Sequence, residues 1–326
     1  MFTRRSFIFA ALALSFPVGQ AWSQGAPWPA RSVRIVANLP PGGSNDLLAR
    51  LLAERLQPVL GQPVIVENKP GAGGNIGTEY VARQPADGYT LLLTPSSHVV
   101  NPYFFAKLPY DPIKDFEPIS LINTIPFVLT VNASMPATSM KEFLAYARAN
   151  PGKLTYGSAG IGQPHHLAAE MLKSMTGIDI LHVPYKGAGG IVPALLGGEI
   201  SFTVGAINSL LPHIRTGKLR ALAVVGGTRA SLLPDVPTIA EAVPLPGYEL
   251  TSWTGVLAPA RTPRAIVERL SAEINRIMHD PQMVKEKLTP LGIQPVGTTP
   301  EQFMDIIKAE LAQYGKITRD ANIKPE

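Results

Sequence analysis

The strongest constraint in this chain is a unit that recurs. A short apolar run leads into a turn of glycines or small polar residues, and a segment with helical spacing follows. The first copy is the clearest. Val33-Arg34-Ile35-Val36-Ala37 reads as a strand, residues 38–46 (NLPPGGSND) as the turn and residues 44–60 as a helix. Leu47, Leu48, Leu51, Leu52, Leu56, Val59 and Leu60 recur at helical spacing, Arg50, Glu54 and Arg55 lie opposite, and Gly61 stops the helix. Further turns at 69–77 (KPGAGGNIG), 94–98 (TPSSH), 157–166 (GSAGIGQPHH) and 184–190 (PYKGAGG) follow other strand-like runs. Strands alternating with helices predict a mostly parallel sheet flanked by helices, an α/β fold. Ligands of such sheets bind at the carboxyl ends of the strands, where these turns lie. Free backbone N–H groups at a helix start suit an anion, a carboxylate as much as a phosphate.

Taken in order, strands are expected at 63–67 and 89–93, with a helix at about 76–84 between them. Residues 117–131 carry a long apolar run, read as a crossing into a second lobe. That lobe repeats the alternation. Helices fall at 139–149 and 164–175, a short one ends at Leu196 and another at Gly217, with strands at 153–157, 178–183, 200–204 and 219–225. Residues 248–257, centred on Trp253, read as the return crossing, and the tail as helices at 263–278, 281–289 and 300–319. Two lobes joined by two crossover strands are therefore expected: a first lobe from 24–125 and 250–326, and a second from 126–249.

Residues 1–23 read as a signal peptide. Arg4 and Arg5 are the charged start, Phe7 to Val18 the apolar stretch, and Ala21-Trp22-Ser23 the cleavage site. Thr3-Arg4-Arg5-Ser6-Phe7-Ile8 is close to a twin-arginine pattern, so export by either the Sec or the twin-arginine route fits, with a periplasmic destination. The chain has no cysteine, which excludes thiol catalysis and Cys-based metal sites. The net charge of +5 is scattered rather than gathered into a stripe, and nucleic acid is not expected as a partner.

None of the turns carries a complete catalytic motif. From Gly71 a dinucleotide loop would need glycine where Ile76 stands, and no phosphate-binding P-loop motif occurs. Tyr156-Gly157-Ser158-Ala159-Gly160 resembles a nucleophile elbow but has Tyr156 where the first glycine belongs. His165, His166 and Glu170 could suggest a metal, but beyond His166 and Glu170, one helical turn apart, no further ligand that could complete a set is evident, and no metal or cofactor is expected. Asp46 is the one acid of the turns, too few for paired acid/base chemistry. The set is one for holding a small polar or anionic ligand.

Longer motifs carry a resemblance. PPGGSND (40–46), ENKPGAGGNIG (67–77), ADGYTLLL (86–93), PYDPIKDFEPISLI (109–122), YGSAGIGQPHHLAAE (156–170), VPYKGAGG (183–190), LLGGEI (195–200), GKLRALAV (217–224), LPDVPTIAEA (233–242) and TPEQF (299–303) together resemble the Bug-type receptors of tripartite tricarboxylate transporters. The resemblance implies a two-lobed type II periplasmic binding fold and a non-enzymatic, monomeric receptor. It also implies delivery of small carboxylates to membrane permease subunits; a receptor acting mainly as a ligand sensor for a kinase, or a hydrolase-like α/β enzyme, is the alternative. The family's ligand loops map onto Pro41, Gly42, Gly43, Ser44 and Asp46 in the first lobe, and onto Ser158, Gly160, Gly162, His165, Tyr185, Lys186 and Gly187 in the second. The other polar turns add Ser97, His98 and Asn208. One departure bears on the ligand. Many members carry two acids where this chain has Ser201 and Gly205, which disfavours pairing a cationic ligand group and points to plain carboxylates over amino acids. Thr94-Pro95-Ser96-Ser97 also departs from the family's usual turn.

Overall fold

A computed structural model describes residues 28–320, apart from 162, 246, 247, 249 and 251. The signal-peptide reading of residues 1–23 lies outside the described residues. The first lobe is built on strands β1 (Val33–Ala37), β2 (Val64–Asn68), β3 (Thr90–Pro95), β4 (Phe116–Ile125), β10 (Ser252–Pro259) and the two-residue β11 (Gln294–Pro295). The second is built on β5 (Phe127–Asn132), β6 (Leu154–Ser158), β7 (Ile180–Pro184), β8 (Phe202–Ala206) and β9 (Leu219–Val225).

The two sheets share one plan. The first runs β11-β4-β10-β3-β1-β2 and the second β7-β6-β8-β5-β9. In each, one strand is parallel to neighbours on both sides: β1 to β2 and β3, β6 to β7 and β8. In each, an antiparallel strand is inserted: β10 between β3 and β4, β5 between β8 and β9. Each inserted strand reaches its sheet from the other half of the chain. β5 follows directly on β4 with only Pro126 between them, and β10 arrives after β9. The apolar run at 117–131, expected as one crossing, is thus two strands in two sheets.

Helices cover both faces of the first sheet, so its central strands are largely apolar on both faces, while the edge strand β2 carries Glu67 and Asn68. Val33, Ile35 and Ala37 pack with Leu48, Leu52 and Leu56 of α1 (Ser44–Leu60) and with Val267, Leu270 and Ile274 of a second long helix, Arg264–Met278. Val36, Leu92 and Leu257 face the other way, toward Phe303 and Ile307 of the C-terminal helix Pro300–Asp320. In α1 the buried stripe is Leu48, Leu52, Leu56 and Leu60, while Leu47 lies exposed beside the loop that precedes the helix. Gly61 ends α1 in the left-handed conformation at φ 67°.

The remaining helices are α2 (Asn75–Ala82), α3 (Ser97–Val100), α4 (Met140–Ala149), α5 (Pro164–Thr176), α6 (Ile191–Gly197), α7 (Ile207–Arg215) and α8 (Ile239–Ala242). The long helices just described are α9 (Arg264–Met278) and α11 (Pro300–Asp320), with the single turn α10 (Pro281–Met283) between them. The expected helix at 281–289 breaks into that turn, a π-turn at Val284–Leu288 and a 3₁₀ turn at Thr289–Leu291. Pro290 and Gly292 stop any regular helix there.

Trp253 ties the return strand to α11. Its indole is buried, meets the Phe303 ring edge-on with centroids 5.2 Å apart, and donates Nε1–H to Glu310 Oε2 at 2.7 Å. Gly255, two residues on, lies under Phe303; a Cβ there would be 2.2 Å from the ring. Burial pushes the Glu310 carboxyl up to about 7, although the indole N–H works the other way. A carboxyl raised in this way stabilises the fold fully below its ordinary value of 4.5 and loses that contribution as pH rises through about 7. Glu310→Gln, which can still accept from the indole, should therefore flatten the pH dependence of urea midpoints across this window and stabilise the protein above it, by no more than a few kcal/mol. A parent profile already flat there would overturn the assignment.

Candidate functional site

The loop after β1 is shaped by its own side chains. Gly42 takes φ 85°, a left-handed value that favours glycine, and its N–H donates to Asp46 Oδ2 at 3.0 Å. Asp46 also receives Arg50 Nε at 3.1 Å. Burial works against the charge, but Arg50, the Gly42 N–H and Asn68 hold the carboxyl below its ordinary range. Asp46 is thus engaged in building the loop that carries Pro41, Gly42 and Gly43, all exposed. Asn38 joins this loop to its neighbours, donating to Thr78 Oγ1 (3.1 Å) and Thr94 Oγ1 (2.8 Å). The second turn needs glycine at 77 for closeness: a Cβ there would stand 2.6 Å from the Lys69 carbonyl oxygen.

Helix starts converge at the cleft. α1, α5 and α7 are capped by Gly43, Gln163 and Ala206, all in extended backbone, and none of the three makes a side-chain cap hydrogen bond. Pro164 brings no N–H to α5, His166 N–H donates to the Gln163 carbonyl and Ile207 N–H to the Pro126 carbonyl; the other first-turn N–H groups have no side-chain cap. Asn208, in the first turn of α7, donates Nδ2–H to Ser44 Oγ, in the first turn of α1, at 2.8 Å. Gln163 at the start of α5 donates to the Gly73 carbonyl at 3.1 Å, and Phe104 meets His166 edge-on at 5.0 Å. These three contacts join the lobes, so the structure holds them closed. Each helix start carries a partial positive charge of roughly half a unit, and together they favour an anion. Lysine plays little part: Lys69 is paired with Glu67 at 2.7 Å and lies over Tyr80, and Lys186 is exposed.

In the second lobe Ser158 is fully buried; its Oγ accepts from Gly160 N–H at 3.2 Å and lies 2.6 Å from His182 Nε2. His182 was not singled out from sequence. Its ring lies nearly parallel to those of both Tyr156 (4.7 Å) and His166 (4.3 Å), and burial pushes it down to about 4, leaving it neutral. The suggested metal set is dispersed, with His166 in that stack and Glu170 accepting from Tyr156 Oη at 2.6 Å. Tyr185 folds its ring over Gly190, and Gly187 turns at φ 93°, its N–H bonded to the Ala159 carbonyl. Gly162 lies outside the described residues.

Some candidates point elsewhere. His98 is in the interior of the first lobe, stacked on Tyr110, edge-on to Phe116 and bonded through Nε2 to the Pro112 carbonyl at 2.9 Å. Burial pushes it down to about 4. Ser97 is buried with its Oγ unpartnered, as are His165 Nδ1 and Asn208 Oδ1. Asn123 of β4, opposite Thr254 of β10, is buried with neither side-chain polar atom paired, and nothing in its apolar sequence context marked it.

The sequence profile of the tripartite tricarboxylate transporter family receptor (TctC) matches residues 48–323. The chain belongs to this family. A UPF0065 protein of Pseudomonas sp. (strain P51), from the tcbD-tcbE intergenic region, is 39% identical over 314 residues, covering 96% of this chain and 93% of that protein. R. palustris Rpa4515, solved with adipate, is 37% identical with a TM-score of 0.85, covering 92% of this chain and all (100%) of that one. MatC of Rhodopseudomonas palustris, solved with bound malate, is 31% identical with a TM-score of 0.80, covering 89% and 99%. The receptor is accordingly a solute-binding protein of the two-lobed periplasmic type and not an enzyme; the Ser158 hydroxyl receives the Gly160 N–H within its own turn.

If the cross-lobe hydrogen bonds hold the receptor closed, removing both should open it. The Asn208→Ala, Gln163→Ala double variant, without added ligand, should give a larger radius of gyration by small-angle scattering than the parent. Identical profiles would show that the contacts are incidental to closure.

Proposed function

We propose that this receptor captures a small carboxylate between its lobes in the periplasm and delivers it to the permease subunits of a tripartite transporter. One observation carries the reading. The uncapped starts of α1 and α7 meet across the cleft, 2.8 Å apart at Ser44 and Asn208, with α5 beginning alongside. Such a place holds a carboxylate through backbone donors without a guanidinium. The ligands in Rpa4515 and MatC, adipate and malate, are carboxylates and agree with it. In this reading the ligand rests on Gly43, Ser44, Asn208 and the Ser158–Gly160 and Tyr185–Gly187 turns, and Asp46 acts through the loop. Residues 1–23 direct export. The chain divides at 125/126 and 249/250, with the short link at Pro126 as a hinge, and the receptor works as a monomer.

Thermal unfolding of ligand-stripped protein against a panel of small carboxylates tests it. A true ligand should stabilise by RT ln(1 + [L]/Kd), about 2.7 kcal/mol at a hundredfold excess over Kd. No stabilisation by any acid at millimolar concentration would refute the carboxylate. Gly43→Val gives a second check. Gly43 has φ −87° and only the Pro40 carbonyl near a would-be Cβ, at 3.9 Å, so the loop tolerates a side chain that shields the start of α1. Binding should fall about tenfold or more while the melting temperature of the free protein stays within a few degrees. Equal losses in both would assign the glycine to the turn alone.

A further inference from the structure

The glycine-rich turn after β2 is held in an unusual conformation. Gly71, Ala72, Gly73 and Gly74 take φ 128°, 47°, 65° and 99° in succession. Ala72 puts a Cβ in the left-handed region, one of two non-glycine residues to do so among the described residues. Such a turn persists only where its surroundings over-determine it. Here Gly74 N–H closes on the Gly71 carbonyl at 2.9 Å, and the Phe105 ring lies 3.2 Å from where a Cβ on Gly73 would stand.

The Gly73 carbonyl receives a donor from each lobe. Asn101 Nδ2 reaches it from the first lobe at 3.1 Å and Gln163 Nε2 from the second at 3.1 Å. Asn101 is buried and opens the 3₁₀ turn Asn101–Tyr103 that follows α3. Its amide nitrogen also meets Asn75 Oδ1 at 2.6 Å, and the Tyr110 hydroxyl donates to that same oxygen at 2.7 Å. Two acceptors, Gly73 O and Asn75 Oδ1, therefore face one side of the Asn101 amide, and only its nitrogen can be turned toward them. Its own oxygen is left buried without a partner, which costs stability. The chain Tyr110–Asn75–Asn101–Gly73 thus runs from the interior of the first lobe and ends on a side chain of the second. Phe104, just past the same 3₁₀ turn, meets His166 of the second lobe, so residues 101–105 support both cross-lobe contacts made beside α5.

We propose that Asn101 is a positioning residue for capture: it fixes the Gly73 carbonyl where Gln163 reaches it, and so sets the balance between closed and open lobes. A hydrogen bond weakens steeply with misplacement, and a left-handed turn released from Asn101 is free to relax. The inference goes beyond the carboxylate reading. It holds whichever solute the cleft takes, and its test needs none.

The chain has no cysteine, so Arg55→Cys on α1 and Ala145→Cys on α4, both at exposed positions, place one spin label on each lobe. Pulsed dipolar spectroscopy without added solute then reads the closed and open separations. Asn101→Ala and Gln163→Ala should each shift the ratio of closed to open about fivefold toward open, as expected for one neutral hydrogen bond. The double variant should be no more open than Gln163→Ala alone, because Asn101 acts through that contact. Should Asn101→Ala unfold the protein, Tyr110→Phe, which frees Asn75 at the far end of the chain, should shift the ratio in the same direction and again add nothing to Gln163→Ala. A parent as open as Gln163→Ala, or an Asn101 variant that leaves the ratio unchanged, overturns the proposal. So does opening by Asn101→Ala that persists in full on top of Gln163→Ala, which would assign Asn101 to the first-lobe fold alone.

Discussion

Two helix poles of the same sign face one another where the lobes meet. The starts of α1 and α7 are joined by one neutral hydrogen bond, Asn208 to Ser44. Such a bond contributes about 1 kcal/mol net, while each pole carries a partial positive charge. Bringing two such poles together is unfavourable on its own, and on the proposed reading a bound carboxylate offsets that cost. The same constraint accounts for the scarcity of charged side chains on the cleft loops. A guanidinium there would add to the repulsion, and the loops instead spend their side chains on holding shape. Asp46 binds Gly42 N–H, Asn38 ties three loops together, and Ser158 receives Gly160 N–H.

Much of the fold was legible in the sequence because its signals are local. The leucine stripe of α1 and Gly61 place that helix, and the glycine-rich turns mark the ends of β2 and β6. The alternation gave a parallel core for each lobe, and Trp253 lies where the chain returns. Local signals could not show that the run before and after Pro126 belongs to two sheets, since both strands are equally apolar. Nor could they give β11, two residues held only by pairing with β4.

The site was legible at the level of loops but not of side-chain direction. The polar turn holding Ser97 and His98 lies at the end of β3, yet α3 turns the imidazole inward between Tyr110 and Phe116. His182 sits in a strand of alternating residues and gains meaning only from β6 beside it, which brings Ser158 within reach. Asn123 lies opposite a neighbour more than a hundred residues away in sequence, and no periodicity reports such a pairing. Position along the chain identifies a turn; only the packing of the strands beneath decides which atoms the turn presents.

The exchange of inserted strands also orders the assembly of the molecule in time. β5 to β9 are contiguous, Phe127 to Val225, so the second sheet has all its strands once that stretch is available. The first sheet begins earlier, at Val33, yet lacks the strand between β3 and β4 until Ser252–Pro259 is present. A chain emerging from its N-terminus thus finishes its second lobe first. Until then β3 and β4 each present an open, largely apolar edge, the kind of surface that recruits other chains. For a protein with this connectivity the vulnerable interval is the wait for β10, and its length is set by how quickly the whole second lobe is delivered.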